Sequence, residues 1–351
     1  MQSKINKYFY KFKNSINIGS PNIFYMRKLA EYITNCQIGG NIIEISKKEN
    51  GTIDENIIGL FNFIKEATFD KIPTKKQKYC AIIMGPAGTG KSLAKKIATK
   101  FIFDNFENKN NTPTSSIEYE AFFNTFVDVT SDDYVYGLKL NNNETGQQIL
   151  KSTLNEYLNK DEFKDKNMDD LIDIFYKDPR LYGDLVKNTT SMYNDLKKHV
   201  DPLKIMMIHI ASYFGLNIFF EIIGNTSTYI STIIVNDFCR WEMYTPIVVF
   251  PYISDIELHK KRIIMRGLTE GRFMSISSLY ETRQNTSSAF DSMYDGLKSS
   301  LKSTSKNVGF LKYNNDKTIT KEMIEGYDFK DVVVVKSKVD IDGNNKVVTG
   351  I

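Results

Sequence analysis

Tyr79-Cys80-Ala81-Ile82-Ile83-Met84-Gly85-Pro86-Ala87-Gly88-Thr89-Gly90-Lys91-Ser92 is the stretch on which the reading of this chain turns. A short apolar run passes directly into G-x-x-x-x-G-K-S, and residues 92–106 then follow as a helix. Strand, glycine loop and helix in that order is the context in which this motif holds phosphate. Gly85, Gly88 and Gly90 let the backbone turn so that successive N–H groups face phosphate oxygens, and the helix beginning near Lys91 adds its positive end. Lys91 is expected to reach the β- and γ-phosphates and Ser92 to be a ligand of Mg²⁺, with Pro86, Ala87 and Thr89 completing the cradle. ATP with Mg²⁺ is the expected ligand. The plain alternative is a glycine-rich turn that binds nothing.

Outward from this segment, five short runs have the length and the β-branched or aromatic content of buried strands: residues 79–84, 125–129, 218–223, 247–252 and 308–313. Separated by helical segments, such runs read as a parallel sheet. The expected fold is therefore α/β, a three-layer P-loop NTPase fold with a parallel sheet, occupying residues 73–351. Residues 144–204 depart from it, because 147–159, 168–176 and 182–199 are charged, amphipathic helix formers, with Pro179 and Pro202 marking breaks. They read as a helical insertion between the second and third strands, over the sheet's C-terminal edge. Residues 1–72 form a separate N-terminal extension with a helix over 54–68. Residues 332–348 read as a C-terminal β-hairpin turning at Asp342-Gly343-Asn344.

Composition sets the outer bounds. Hydrophobic residues make up 41% of the 351 and charged residues 25%, so the chain has the means to bury a core and disorder is not the default. A net charge of +4, spread along the chain, gives no reason to expect a membrane surface or a nucleic acid. Lys7-Tyr8-Phe9-Tyr10-Lys11-Phe12-Lys13 interleaves basic and aromatic residues in a way that suits base stacking, but an amphipathic element packed on the body accounts for it as well. The longest apolar stretch, 205–223, contains His209, Ser212, Gly215 and Asn217, and reads as a helix running into a buried strand rather than a membrane span. Cys36, Cys80 and Cys239 are too far apart for a disulfide framework or a metal site, which points to a reducing compartment, the cytoplasm. His199, His209 and His259 are isolated, so each reads as a surface or core residue and no zinc site follows. Trp241 and Tyr244 read as helix packing between the third and fourth strands.

The reaction depends on what lies beyond the loop. Asn159-Lys160-Asp161-Glu162 lacks the final Asp of the guanine-recognition pattern N-K-x-D, which disfavours a GTPase. After the second strand, Val127-Asp128-Val129-Thr130-Ser131-Asp132-Asp133 places carboxylates at the edge where α/β sheets bind ligands. Asp132 or Asp133 is positioned to accept a proton from a substrate hydroxyl or to hold Mg²⁺ through water, and a solvated Ser-Asp-Asp helix cap is the alternative. Glu221 interrupts an apolar strand, which implies contact with a polar substrate or an arginine, or an internal salt bridge. Arg262 and Arg266 share a face of a helix over 257–266, while Gly267 and Gly271 read as bracketing a short flexible loop that brings Arg272 back. Arginines on a mobile segment neutralise charge on a transferring phosphoryl group. A solvated basic face is the plainer reading of the same residues.

Taken in order, the glycine loop, the Ser-Asp-Asp-Tyr turn at 131–134, Phe220-Glu221-Ile222-Ile223-Gly224, the strand at 247–252, Arg266 with Gly271-Arg272-Phe273, and Leu311-Lys312-Tyr313-Asn314-Asn315 resemble the zeta toxin-like kinases over residues 79–315. That resemblance implies a phosphotransferase moving the γ-phosphate of ATP to a hydroxyl of a small molecule such as a nucleotide-sugar. It implies that Asp132, with Asp133 as the close alternative, is the base, that Glu221 contacts substrate, and that Arg266 and Arg272 hold the phosphates. Ile222-Ile223 stands where that family often has threonines, and the insertion is longer. The resemblance leaves room for an inhibitory protein partner; a membrane partner is not expected and a nucleic-acid partner is not favoured. The loop's wording is also close to that of AAA+ ATPases, although no apolar strand here ends in Asp-Glu. An AAA+-like or non-catalytic ATP-binding protein acting on a protein or nucleic acid is therefore the second class of function. Abundant Asn, Ile and Lys match an AT-rich genome such as that of a large DNA virus, for which the compartment would be the host cytoplasm.

Overall fold

The computed structural model describes residues 77–108, 113–137, 145–232, 244–301, 308–317, 319–329, 334–339 and 345–346, with positions 234 and 238. The N-terminal extension, the turn at 342–344 and Trp241 lie outside the described residues. Among those described, seven strands form one sheet: β1 (Lys78–Met84), β2 (Phe126–Val129), β3 (Asn217–Ile222), β4 (Tyr244–Tyr252), β5 (Val308–Asn314), β6 (Val334–Val339) and β7 (Asn345–Lys346). Their order across the sheet is β2-β3-β1-β4-β5-β6-β7. The first five are parallel, and β6 and β7 add on as antiparallel neighbours. The molecule is thus α/β, and its parallel strands are the five apolar runs read from sequence. From β1 the chain moves out to β2 and returns through β3 before crossing to β4. The C-terminal end of β1 is therefore a switch point, where an open α/β sheet leaves a crevice.

Alternation along β1 explains the two packed faces, because successive side chains point to opposite sides of a strand. Tyr79, Ala81 and Ile83 meet Ala94, Ile97, Ala98 and Phe101 of α1 (Lys91–Ile102) and Tyr119 of α2 (Ser116–Phe123). Cys80, Ile82 and Met84 join the core on the other face. Helix α1 stops at Ile102 and gives way to a π turn over Phe103–Glu107, short of the expected end at 106. Tyr244 opens β4 instead of packing from a helix: it is buried, and its hydroxyl donates to the Leu216 carbonyl at 2.9 Å.

Between β2 and β3 come α3 (Ser131–Gly137), α4 (Gly146–Leu158), α5 (Met168–Lys177) and α6 (Pro179–Phe214). Thr145 with Gln148 and Asn167 with Asp170 form capping boxes that start α4 and α5. Pro179 occupies the first turn of α6, where its missing N–H has no intrahelical partner to lose. Pro202 was expected to break the helix and does not. The helix runs on to Phe214 because Met207, Ile208 and Ala211 beyond the proline are buried on the sheet, and that tertiary packing outweighs the local penalty.

The remaining helices are α7 (Ser227–Thr232), α8 (Ile256–Glu270), α9 (Ile276–Leu301) and α10 (Lys321–Gly326). A third core joins Leu154, Phe175, Tyr182 and Leu185 of the insertion to Ile264, Leu268 and Phe273, so the insertion is packed directly on α8 and the turn behind it. Here the sequence reading of a loop from Gly267 to Gly271 is corrected. Gly267 lies inside α8, and a Cβ there would sit 2.3 Å from the Phe273 ring. It is glycine for close packing, not for flexibility; Gly271 supplies the left-handed cap that ends the helix. Among the described residues no helix is long and apolar enough to cross a membrane.

Candidate active site

The glycine loop is pinned at several points. The Gly85 N–H donates to the carbonyls of Ile222 and Ile223 at 3.2 and 3.1 Å, and the Thr89 hydroxyl closes the turn onto the Pro86 carbonyl at 3.0 Å. Asn315, just past β5, donates from Nδ2 to the Thr89 carbonyl at 2.9 Å and from its backbone to Tyr252 at 2.8 Å. Arg262 in turn donates to the Asn315 carbonyl at 2.8 Å. Gly90 sits at φ 86°, and a Cβ there would fall 2.1 Å from the Asn315 amide nitrogen, so conformation and contact both exclude a side chain.

His259 braces the loop from beneath. It is buried, with Nε2 2.7 Å from the Ala87 carbonyl and Nδ1 2.8 Å from Arg283. Because arginine only donates and a carbonyl only accepts, the ring is neutral with its proton on Nε2. Burial, above all, pushes it down to about 4. Of the two readings open from sequence, surface or core, His259 is core, but its task is to hold the loop.

Two properties of the loop bear on chemistry. Among the described residues, no carbonyl or side chain receives the backbone N–H groups of Ala87, Gly88, Thr89 or Gly90. Lys91 folds back so that Nζ lies 3.1 and 3.2 Å from the Gly85 and Pro86 carbonyls, and burial pushes its ammonium down to about 8 even with Glu221 opposing. An array of uncommitted N–H donors around a lysine is a site for an anion.

Two cavities open on either side. The first, about 440 Å³, runs past Ser92 and Leu93 between Arg262 and Met265 of α8 and Ile319 and Ile324 near α10. The second, about 310 Å³, lies under the insertion and is lined by Asp132, Tyr193, Lys197, Lys204, Asn225 and Arg272 among others. Lys91, Glu221 and Arg266 line both.

Around the second cavity the sequence-selected acid and arginines come together. Asp132, near the start of α3, accepts from Arg266 at 2.7 Å through Oδ2, and through Oδ1 from Arg272 and from the Tyr193 hydroxyl, the latter at 2.5 Å. Burial opposes its charge, but Arg272 and Arg266, helped by Tyr193 and Lys91, hold its carboxyl well below the ordinary range. Arg266 also donates to Glu270 at 2.7 Å, which accepts from Tyr136 at 2.7 Å. The side chain of Asp133 lies outside the described residues. Glu221 pairs not with an arginine but with Lys95, one turn beyond Lys91, at 2.9 Å. Lys95 also reaches Asp128 at 2.6 Å; burial works against its charge, and the two carboxylates hold it above its usual range. Ser92 is exposed and lines the first cavity.

Sequence reasoning passed over Lys95, Tyr193, Asn315 and His259 as site residues. Lys95 had a signal: two acids on neighbouring strands, Asp128 on β2 and Glu221 on β3, called for a cation, and α1 is the helix that supplies it. Tyr193 had none, since nothing local distinguishes it from the other aromatics of an amphipathic helix.

What the architecture defines is an α/β protein with a glycine loop at the switch point and an acid–arginine cluster facing it. No family model matches the chain, and no solved structure matches it. An uncharacterized protein of Acanthamoeba polyphaga mimivirus is 28% identical over 278 residues, covering 78% of this chain and 70% of that protein. A viral origin is compatible with this similarity.

Proposed function

We propose that this chain is an ATP-dependent phosphotransferase of the zeta toxin-like kind, binding ATP in the first cavity and its acceptor in the second. The observation that carries the reading is that the two cavities meet at Lys91, Glu221 and Arg266, beside the uncommitted N–H groups of the loop. A transferring phosphoryl group needs such a boundary, since catalysis of this reaction is mostly positioning and charge neutralisation. Leu93, Met265, Ile319 and Ile324 give the first cavity an apolar end suited to a base. In the second, Lys91, Lys197, Lys204, Arg266 and Arg272 stand against Asp132 and Glu221, which suits an anionic hydroxylated acceptor such as a nucleotide-sugar.

Mg²⁺ is held in such sites by few protein groups together with the substrate's own phosphates. Ser92, exposed at the first turn of α1, is the residue that would hold it, and the ion would neutralise phosphate charge. In the transfer, the acceptor's hydroxyl oxygen bonds to the γ-phosphorus while the bond from that phosphorus to the β–γ bridging oxygen breaks. ADP leaves, and the hydroxyl proton goes to Asp132. While clasped by both arginines Asp132 is a weak base. Turning Arg266 and Arg272 toward the phosphates removes the charges that depress it, so the movement that stabilises the transferring group also readies the base.

The test is a panel of sugars, nucleosides, nucleotide-sugars and 5′-hydroxyl oligonucleotides incubated with γ-labelled ATP, Mg²⁺ and the full chain. Label transfer to one acceptor class, abolished in Lys91→Ala, is the expected result. Hydrolysis without transfer, stimulated by a polymer and accompanied by ring assembly on sizing columns, would overturn it in favour of an AAA+-like activity.

A further inference from the structure

Tyr193 touches both members of the central ion pair by different chemistry. Its hydroxyl donates to Asp132 Oδ1 at 2.5 Å, and the Arg272 guanidinium lies over its ring, 3.9 Å from the centroid. The side chain is buried and projects from the interior of α6, a helix anchored on the sheet through Met207 and Ala211. We infer that Tyr193 is a positioning residue that keeps Asp132 aimed into the second cavity while Arg272 leaves it for the phosphates. This rests on the phosphotransferase reading above.

Among the described residues Asp132 has three side-chain donors, and two of them are cations that a phosphate attracts. The phenol carries no charge, so an incoming polyanion does not draw it away, and it is the donor left on Oδ1 when the arginines turn. The ring attracts a cation over its whole face, so the guanidinium can slide without losing support. Burial raises the phenol further above its already high range, so it remains a donor at any working pH. Other groups bear on Asp132 as well. Lys91 reaches it from α1, Tyr136 from its own helix, and Arg266 and Arg272 from α8 and the turn behind, with Glu270 backing Arg266. Glu221 and Lys197 share its cavity.

The experiment compares Tyr193→Phe and Tyr193→Leu, both checked by thermal unfolding. Phe keeps the ring and loses the donor: kcat should fall about tenfold or more, as for a lost buried hydrogen bond to a charge. ATP affinity by calorimetry should stay at the wild-type value. The acid limb of the pH–rate profile should move to higher pH, because Asp132 has lost a donor that favours its ionised form. Leu also removes the ring, and ATP affinity should fall several-fold. Tyr193→Phe with wild-type kcat and an unmoved acid limb would overturn the inference, as would equal ATP affinity in the Phe and Leu variants. Should Leu fail to fold, the Phe variant alone decides. Wild-type protein that transfers phosphate to no acceptor sinks the phosphotransferase reading, and the calorimetric comparison still decides the Tyr193 link.

Discussion

On one side of Lys91 the first cavity takes its loop wall from a single continuous segment, residues 88–93, and the loop is braced by Asn315, Arg262 and His259. On the other the chain gathers Asp132, Tyr193, Arg266 and Arg272 from positions as much as 140 residues apart. The two constructions leave their polar groups in opposite states. The N–H groups of Ala87, Gly88, Thr89 and Gly90 have no acceptor among the described residues, whereas the distant cluster satisfies its charges internally. The first cavity therefore offers backbone donors to an anion, and Lys91 has only the Gly85 and Pro86 carbonyls to leave. In the second, the Asp132 ion pairs with Arg266 and Arg272 stand closed, and on the proposed reading a phosphate bound on the first side would draw those arginines away.

The comparison is most exposed at Lys91, one of the three residues both sides share. Lys91→Ala removes the charge at the boundary, so kcat should drop by roughly 10²-fold or more, with weaker ATP binding by calorimetry. A variant with intact turnover would mean that the loop does not contact the transferring group. Asp132→Asn should separate the halves: kcat should fall by about tenfold to 10²-fold while ATP affinity stays near wild type. Equal loss of binding would show that the two cavities are not independent.

A pH series sharpens the contrast further. Lys91 sits near 8 in the free protein, below its ordinary range. kcat/KM for ATP, which reports the free enzyme, should therefore decline above that pH by about tenfold per unit as the ammonium loses its proton. kcat should hold to higher pH, since bound phosphate stabilises the charged lysine. A flat kcat/KM from pH 7 to 9.5 would remove Lys91 from phosphate binding. The smallest effect is expected at Gly267→Ala, where the added methyl overlaps the Phe273 ring and stability should fall by about 1 to 3 kcal/mol, read as a lower Tm. ATP affinity should be spared and kcat reduced only a few-fold, because the strain falls next to Arg272 and away from the loop.

The same contrast explains what was legible in the sequence. Parallel strands buried on both faces read as apolar runs wherever they fall, so β1 to β5 were visible, and the loop was visible because one segment carries all its chemistry. Asp132, Glu221, Arg266 and Arg272 were visible as charges in unusual places, and what each would touch was not. For Glu221 the sequence left substrate, an arginine or an internal salt bridge open; it is the salt bridge, and its partner Lys95 was not legible because a residue one helix turn along α1 depends on how that helix lies against the strands. Pro202 and Gly267 misled for one reason: each is locally a helix breaker, and each is overruled by tertiary packing, that of Met207 on the sheet beyond the proline and that of Phe273 against Gly267. Tyr193 entered the site only through the tertiary placement of α6.

The Gly267–Phe273 contact also bears on how such chains diverge. With 2.3 Å between a hypothetical methyl and the ring, position 267 is not free to gain a side chain while the ring stays. A descendant that gained a side chain at 267 would need a smaller residue at 273, and a descendant that lost the ring would relieve the constraint on 267. The two positions should therefore drift as a linked pair on either side of Arg272, leaving a covariation signal that outlasts overall sequence identity.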